Sequence, residues 1–168
     1  IARVFEISLQ LKQKLREGIR EPLFPGRVMA LIFEKPSLRT RVSFETAMVH
    51  LGGNTLFLGE DTGFGKREST ADFSRVLSSY VDVIVCRAFR HATVTTLAEH
   101  ATCPVINGLT DLAHPCQALA DCLTLREYWG TSKGRTLAYI GDGNNVAISL
   151  VQAALMLGIH VHVASPDG

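Results

Sequence analysis

The sequence has no apolar segment long enough to cross a membrane. A transmembrane helix needs about 20 consecutive apolar residues, whereas the apolar run VDVIVC occupies only 81–86. An excess of charge of either sign is also missing, because 17 basic residues face 16 acidic ones and the net charge is +1. This balance provides no bulk attraction to nucleic acid or to an anionic lipid surface. We therefore expect neither nucleic acid nor a membrane as a partner.

Cysteine is sparse, and no two of the four cysteines have C-x-x-C spacing. This pattern favours free thiols in a reducing compartment over disulfides, so we expect a cytoplasmic protein. Four histidines lack a cysteine or acidic partner four residues away, namely residues 50, 100, 160 and 162. We expect no metal site and no cofactor.

What the sequence does contain is an ordinary globular composition, with 46% hydrophobic and 20% charged residues. Short apolar runs alternate with segments of helical periodicity. This alternation is typical of an α/β protein, in which helices cover both faces of a parallel sheet. The predicted strands lie at 28–33, 54–58, 81–86 and 104–107, and two more follow in TLAYIG and HVHVASP.

The turn WGTSKG at 129–134 is the predicted domain boundary. Residues 1–130 would form one domain, and 131–168 would begin a second, Rossmann-like domain. Only one β-α-β unit follows the turn, and a single unit cannot bury both of its faces. We therefore expect the sequence to be truncated within the second domain, and also at its beginning, where it starts inside a helix.

Polar clusters follow the predicted strands at their carboxyl ends. Ligands of open parallel sheets bind at this edge, where helix N-termini also converge. This shared position predicts a single site. The clusters are KPSLRTR after 28–33, GEDTGFGKRE after 54–58, Arg87 with Arg90 and His91, GLTDLAHPCQ after 104–107, and GDGNN after the fifth strand.

The segment SLRTR predicts an anion site. Ser37 is placed to cap a helix whose first residues include Arg39 and Arg41 but no acid. Cations at a helix N-terminus cost about 0.3–1 kcal/mol each, so a bound anion would explain them. Ser37, Arg39, Thr40 and the backbone amides around Leu38 could hold a phosphate or another oxyanion. The alternative is a helix start whose arginines face water.

Two further segments carry candidate residues. Arg87 closes an apolar strand and could reach a ligand, or it could pair with a nearby acid. In HPCQ, Pro115 suits the first helical position, which places His114 at the cap and Gln117 in the first turn. His114 could donate to an oxygen that develops negative charge, or it could be structural. Cys116 could be a reactive thiol or a packing residue, and we favour packing because no base accompanies it.

The segment GDGNN partly matches a dinucleotide-binding fingerprint. Val146 stands where the third glycine of G-x-G-x-x-G belongs, and a lone match is weak evidence. A non-catalytic module that binds an anion or a dinucleotide therefore stays an alternative. Such a module has no need for Arg87, His114 and Gln117.

Two motifs together resemble the transcarbamoylases, which transfer a carbamoyl group from carbamoyl phosphate to an amine. They are S-x-R-T-R at 37–41 and H-P-x-Q-x-L-x-D at 114–121, and the similarity extends to FEKPSLRTRVSFE, DFSRVLSSYVDVIVCR, LTDLAHPCQALAD and GDGNN. The cysteine of HPCQ and the GDGNN turn are similar to the ornithine branch. The resemblance implies a trimeric enzyme of arginine biosynthesis that makes citrulline and phosphate.

The resemblance also implies roles for individual residues. Ser37, Leu38, Arg39 and Thr40 would hold the phosphate. Arg87 would reach the phosphate and the carbonyl oxygen, and Thr40, Arg87 and His114 would polarise that oxygen. Gln117 would accept a hydrogen bond from the carbamoyl amino group, and Arg41 would be structural.

Two positions bear on the acceptor amine. The resemblance implies that Asn145 contacts ornithine. Lys66 stands where the aspartate-specific relatives have a lysine that serves a neighbouring subunit, which makes it a candidate residue acting across subunits. Aspartate and an acylated ornithine therefore remain alternative acceptors. Because the later acceptor-binding motifs of the family are missing, we expect this chain alone to be inactive.

Overall fold

The computed structural model describes residues 1–59, 62–65 and 67–166, and these fall into two compact units. The first unit is Ile1–Gly108 and the second is Leu109–Gly168. Both are built from alternating strands and helices, which confirms the predicted α/β class. Within the described residues, no helix is both long and apolar enough to span a membrane.

The first unit is built on a four-stranded sheet of order β2-β1-β3-β4. Strand β1 is parallel to both neighbours, and Ala30 pairs with Leu56 on one side and with Ile84 on the other. The elements are α1 (Ala2–Arg16), β1 (Val28–Phe33), α2 (Leu38–His50), β2 (Asn54–Leu58), α3 (Thr70–Ser78), β3 (Val83–Arg87), α4 (His91–His100) and β4 (Val105–Leu109).

Each face of this sheet carries its own apolar cluster, because side chains alternate along a strand. On one face, Ile32 and Ile84 pack with Leu97 of α4 and are almost fully buried. On the other face, Leu31 and Val85 pack with Met48 of α2. Helices therefore cover both faces, as the continuous apolar runs predict.

The strand ends differ slightly from the prediction. Strands β1 and β2 have the predicted limits, but β3 begins at Val83 and ends at Arg87 instead of running over 81–86. Asp82 comes just before β3, where its backbone N–H donates to the Val28 carbonyl at 2.8 Å and its carboxylate accepts from the Val28 N–H at 2.8 Å. At the other end, Arg87 is the last residue of β3 and pairs with Phe33 of β1.

The second unit contains a β-α-β arrangement preceded by a helix. Its elements are α5 (Pro115–Trp129), β5 (Thr136–Ile140), α6 (Asn145–Met156) and β6 (His160–Ala164). Strands β5 and β6 are parallel, with Thr136 opposite His160. Helix α5 packs against α6, so it belongs to the second compact unit. The compact units divide the chain between 108 and 109, whereas the predicted domain boundary lies between 130 and 131. That domain boundary stays a prediction.

Candidate functional site

Helix α2 begins at a serine cap, as predicted. Ser37 has an extended backbone, and its Oγ accepts a hydrogen bond from the Thr40 N–H at 3.3 Å and donates to Thr40 Oγ1 at 3.0 Å. The first turn contains no acid, while Leu38 is 78% exposed and Arg39 is also exposed. This helix end therefore presents amides, hydroxyls and a guanidinium group to the outside, which are donors that suit an oxyanion.

Arg87 lies beside this helix end. Its Nη1 donates to Thr40 Oγ1 at 3.4 Å, and its buried Nε has no hydrogen-bond partner within the described part of the chain. Among the described residues it forms no ion pair with a carboxylate, so the alternative that it is paired with an acid gains no support. The structure thus brings Ser37, Thr40 and Arg87 together.

The electrostatics of Arg87 favour a negative ligand. Burial lowers the pKa of its guanidinium group from the ordinary value, and the positive charge of Arg39 lowers the pKa further. Burial and the charge of Arg39 both disfavour the charged form of Arg87. An anion bound between Arg39 and Arg87 would offset them, since it would interact favourably with each guanidinium group.

Glu34, just after β1, binds the backbone at the end of β3 and in the segment that follows it. The sequence patterns did not identify this role. The backbone N–H of Glu34 donates to the Arg87 carbonyl at 2.9 Å, and its Oε2 accepts from the Phe89 N–H at 2.6 Å. The Lys35 Nζ also lies 5.3 Å from the centre of the Phe89 ring. An acid directly after a buried strand was the only signal for this contact.

Arg41 contacts residues of α2 and β2, and the structural role that the resemblance implies stays a prediction. Its Nε donates to Glu45 Oε1 at 3.1 Å, one turn further along α2. Its guanidinium carbon lies 3.7 Å from the centre of the Phe57 ring on β2. These contacts join α2 to the sheet.

In the second unit, α5 begins as predicted, with His114 as N-cap and Pro115 in the first turn. The His114 side chain does not cap the helix, and its backbone N–H donates to Ser149 Oγ of α6 at 2.8 Å. Gln117 is exposed, and its Nε2 donates to Asp121 Oδ1 at 2.9 Å. Because a carboxylate only accepts, this bond orients the amide and leaves Oε1 as its acceptor end.

The two asparagines of GDGNN have different tasks. Asn144 caps α6, because its Oδ1 accepts from the Val146 N–H at 3.0 Å and from the Ala147 N–H at 3.2 Å. Asn145 donates from Nδ2 to the Thr110 carbonyl at 2.5 Å. The side chain predicted to contact ornithine thus also holds the segment that precedes α5.

Two predicted positions remain to be placed. Burial raises the pKa of the Cys116 thiol, which favours packing over a reactive thiolate, and no disulfide joins the four cysteines. Lys66 lies outside the described residues. Within the part of the chain that is described, no group of histidines, cysteines and acids could hold a metal ion.

Arginines and capped helix ends that follow parallel strands are typical of α/β proteins that bind small anions. Two family matches make this more specific. Residues 1–127 match the carbamoyl phosphate-binding domain of aspartate/ornithine carbamoyltransferases, and residues 133–168 match their aspartate/ornithine-binding domain. The chain therefore belongs to the aspartate/ornithine carbamoyltransferase family.

Individual relatives agree with this assignment. The chain is 53% identical to the ornithine carbamoyltransferase of Anoxybacillus flavithermus, a match that covers 100% of this chain and 54% of that protein. It is also 53% identical to the Bacillus subtilis ornithine carbamoyltransferase, over 92% of this chain and 49% of that protein. The chain thus spans about half the length of the curated relatives it matches.

A solved structure shows the same fold. The ornithine carbamoyltransferase of Pyrococcus furiosus superimposes with a TM-score of 0.95 at 51% sequence identity. The match covers 97% of this chain and 52% of that one. The resemblance to the transcarbamoylases and the predicted fold are both confirmed.

Proposed function

We propose that the intact protein transfers the carbamoyl group of carbamoyl phosphate to the side-chain amine of ornithine, which yields citrulline and phosphate. The observation that carries this proposal is the environment of Arg87. Its partly buried guanidinium group lies beside a serine-capped helix end without acids and has no carboxylate partner among the described residues. Family membership supplies the identity of the anion.

The phosphate would be held by the start of α2. In this proposal Ser37, Arg39, Thr40 and the backbone amides around Leu38 bind its oxygens. Charge-assisted hydrogen bonds of this kind are about twice as strong as neutral ones. Arg87 would contact both the phosphate and the carbonyl oxygen.

The chemical step would depend on charge stabilisation. When the amine attacks the carbonyl carbon, the carbonyl oxygen becomes an oxyanion, and Thr40, Arg87 and His114 would donate to it. Donors of this kind are worth about 10²–10³ in kcat each. Gln117 would accept from the carbamoyl amino group through Oε1, which the Asp121 contact leaves as its acceptor end. The carbonyl then re-forms as the phosphate leaves with the electrons of the broken C–O bond, and the proton that the amine nitrogen loses passes to the phosphate.

The acceptor side is proposed from family membership and the names of the relatives. Asn145 would contact ornithine, and Lys66 would act on the site of a neighbouring subunit in a homotrimer. We place the enzyme in the cytoplasm and in arginine biosynthesis. Aspartate or an acylated ornithine is the second candidate acceptor, because Lys66 occupies a position typical of the aspartate-specific relatives.

An arginine substitution tests the anion site. In the intact protein, Arg39→Ala should reduce kcat/KM for carbamoyl phosphate by about a hundredfold or more, because it removes a charged donor to the phosphate. Citrulline formation at varied carbamoyl phosphate is the measurement. Arg75→Ala is the matched control, since Arg75 is an exposed arginine that pairs with Asp72 on α3. Normal kinetics in Arg39→Ala would show that the site is assigned wrongly.

The acceptor needs a separate assay. Ornithine, acetylornithine and aspartate should be supplied side by side to the intact protein with carbamoyl phosphate. Turnover with ornithine alone is expected. Preference for another amine would retain the reaction class but change the substrate, whereas NAD binding without any response to carbamoyl phosphate would favour the non-catalytic module.

A further inference from the structure

Ser149 is a buried polar residue of α6, a helix whose other buried residues are apolar. Its side chain is 5% exposed, and Ala147, Leu150 and Ala153 are buried around it on α6. The hydroxyl accepts from the His114 N–H at 2.8 Å and donates to the Asn145 carbonyl at 2.9 Å. A serine could satisfy its hydroxyl within the helix alone, so the bond to His114 is the informative contact.

The start of α5 lacks the usual means of fixing its first residue. His114 is the N-cap, but its side chain makes no capping hydrogen bond, and Pro115 has no N–H to donate. The backbone of His114 is instead held from outside its helix, by the Ser149 hydroxyl. The position of the His114 backbone therefore depends on α6.

A second contact ties the same segment to the same helix. Thr110 is fully buried, its N–H donates to the Ala113 carbonyl at 2.9 Å, and its Oγ1 accepts from the Ala113 N–H at 3.2 Å. Asn145 donates from Nδ2 to the Thr110 carbonyl. Asn145 and Ser149 are four residues apart and so lie on one face of α6. The turn 110–114 is thus held at its first and its last residue.

We propose that Ser149 is a positioning residue for the reaction and acts through His114. The proposal rests on the proposed function, in which His114 donates to the oxyanion. Without the hydroxyl, the N–H of His114 loses its acceptor and the N-cap residue can shift relative to α6. A misplacement of about 1 Å can cost about 10²-fold in rate. Because negative charge develops on this oxygen only as the amine attacks, the loss should appear mainly in kcat and much less in KM.

Two substitutions in the intact protein test this proposal. Ser149→Ala removes the acceptor, and Ser149→Cys keeps nearly the same volume but accepts hydrogen bonds weakly. Both should lower kcat for carbamoyl transfer by about tenfold or more, while KM for carbamoyl phosphate changes by less than about threefold. Ser74→Ala is the matched control, since Ser74 is also buried and its hydroxyl donates to the Leu97 carbonyl at 2.7 Å, in the first unit. It should retain the wild-type kcat.

Each other outcome overturns the proposal. Equal kcat in Ser149→Ala and Ser74→Ala would show that Ser149 contributes only to stability. Full activity of Ser149→Cys would show that kcat depends on the side-chain volume at this position and not on the hydrogen-bond acceptor. If both Ser149 variants unfold while Ser74→Ala remains folded by circular dichroism, the hydroxyl serves folding alone. An inactive wild-type protein would instead refute the proposed function, so the two failures are distinguishable.

Discussion

At the scale of single residues, the candidate site contains an arginine whose surroundings disfavour its charge. Arg87 is partly buried, and the positive charge of Arg39 acts on it, so both effects lower its pKa. Such an arrangement costs stability in the absence of an anion and favours binding when an anion is present. Glu34 contributes by holding the backbone on both sides of Ala88, through the Arg87 carbonyl and the Phe89 N–H.

Glu34 is therefore expected to support anion binding through its geometry. In the intact protein, Glu34→Ala should weaken the binding of inorganic phosphate about fivefold, the value of one hydrogen bond of about 1 kcal/mol. Glu34→Gln should bind almost normally, because its amide oxygen can still accept from Phe89. Titration calorimetry measures both affinities, and Glu6→Ala on α1 is the control. Tighter binding by both Glu34 variants would show that its charge merely repels the anion.

At the scale of elements, two helices of the first unit share a serine cap but differ in the charge of their first turns. Ser37 caps α2 and Ser69 caps α3, each through Oγ. The first turn of α3 contains Asp72, which suits the positive end of the helix, whereas α2 has no acid there. The positive end of α3 is therefore balanced by a carboxylate of its own first turn, whereas the positive end of α2 suits an external anion.

The two caps provide a matched pair of variants. Ser37→Ala and Ser69→Ala should each lower the free energy of unfolding by about 1 kcal/mol, because each loses a capping hydrogen bond. Only Ser37→Ala should also weaken phosphate binding in the intact protein. Urea unfolding and calorimetry measure the two effects. Equal phosphate affinities in the two variants would contradict the role assigned to the start of α2.

At the scale of the whole molecule, the amino ends of β1 and β3 are joined by one aspartate. Asp82 accepts from the Val28 N–H at 2.8 Å and forms an ion pair with Arg27. The Val28 N–H, followed by Arg27, holds the pKa of Asp82 below the ordinary 3.8. Asp82 immediately precedes β3 and Val28 begins β1, so this contact belongs to the assembly of the sheet.

This contact predicts a pH dependence of stability. Because the folded pKa of Asp82 lies below the unfolded one, its contribution is present above the unfolded pKa and is lost as the pH falls through the folded pKa. Asp82→Asn should therefore lose stability less steeply than the wild type as the pH is lowered from about 5 to about 2.5. Urea unfolding at each pH provides the free energies. Asp142→Asn, at an exposed position of the second unit, is the control, and an equal change of slope there would refute the prediction.

Much of this structure was predictable because it is encoded locally. Apolar runs at 28–33 and 54–58 have the limits of β1 and β2, and Ser37 and Pro115 mark the starts of their helices as capping chemistry requires. The family was recognisable from two short motifs. The roles of the site residues and the domain boundary at 130–131 stay predictions.

The sequence by itself determined the α/β class, the helix starts that carry the candidate residues and the family, because periodicity, capping and motifs depend on residues close together in the chain. Only the tertiary structure decided which distant residues support them. Ser149 and His114 are far apart in the chain, as are Glu34 and Phe89, and each pair meets through a backbone N–H. Every residue except proline carries that group, so no pattern of side chains can reveal which one a buried oxygen will bind.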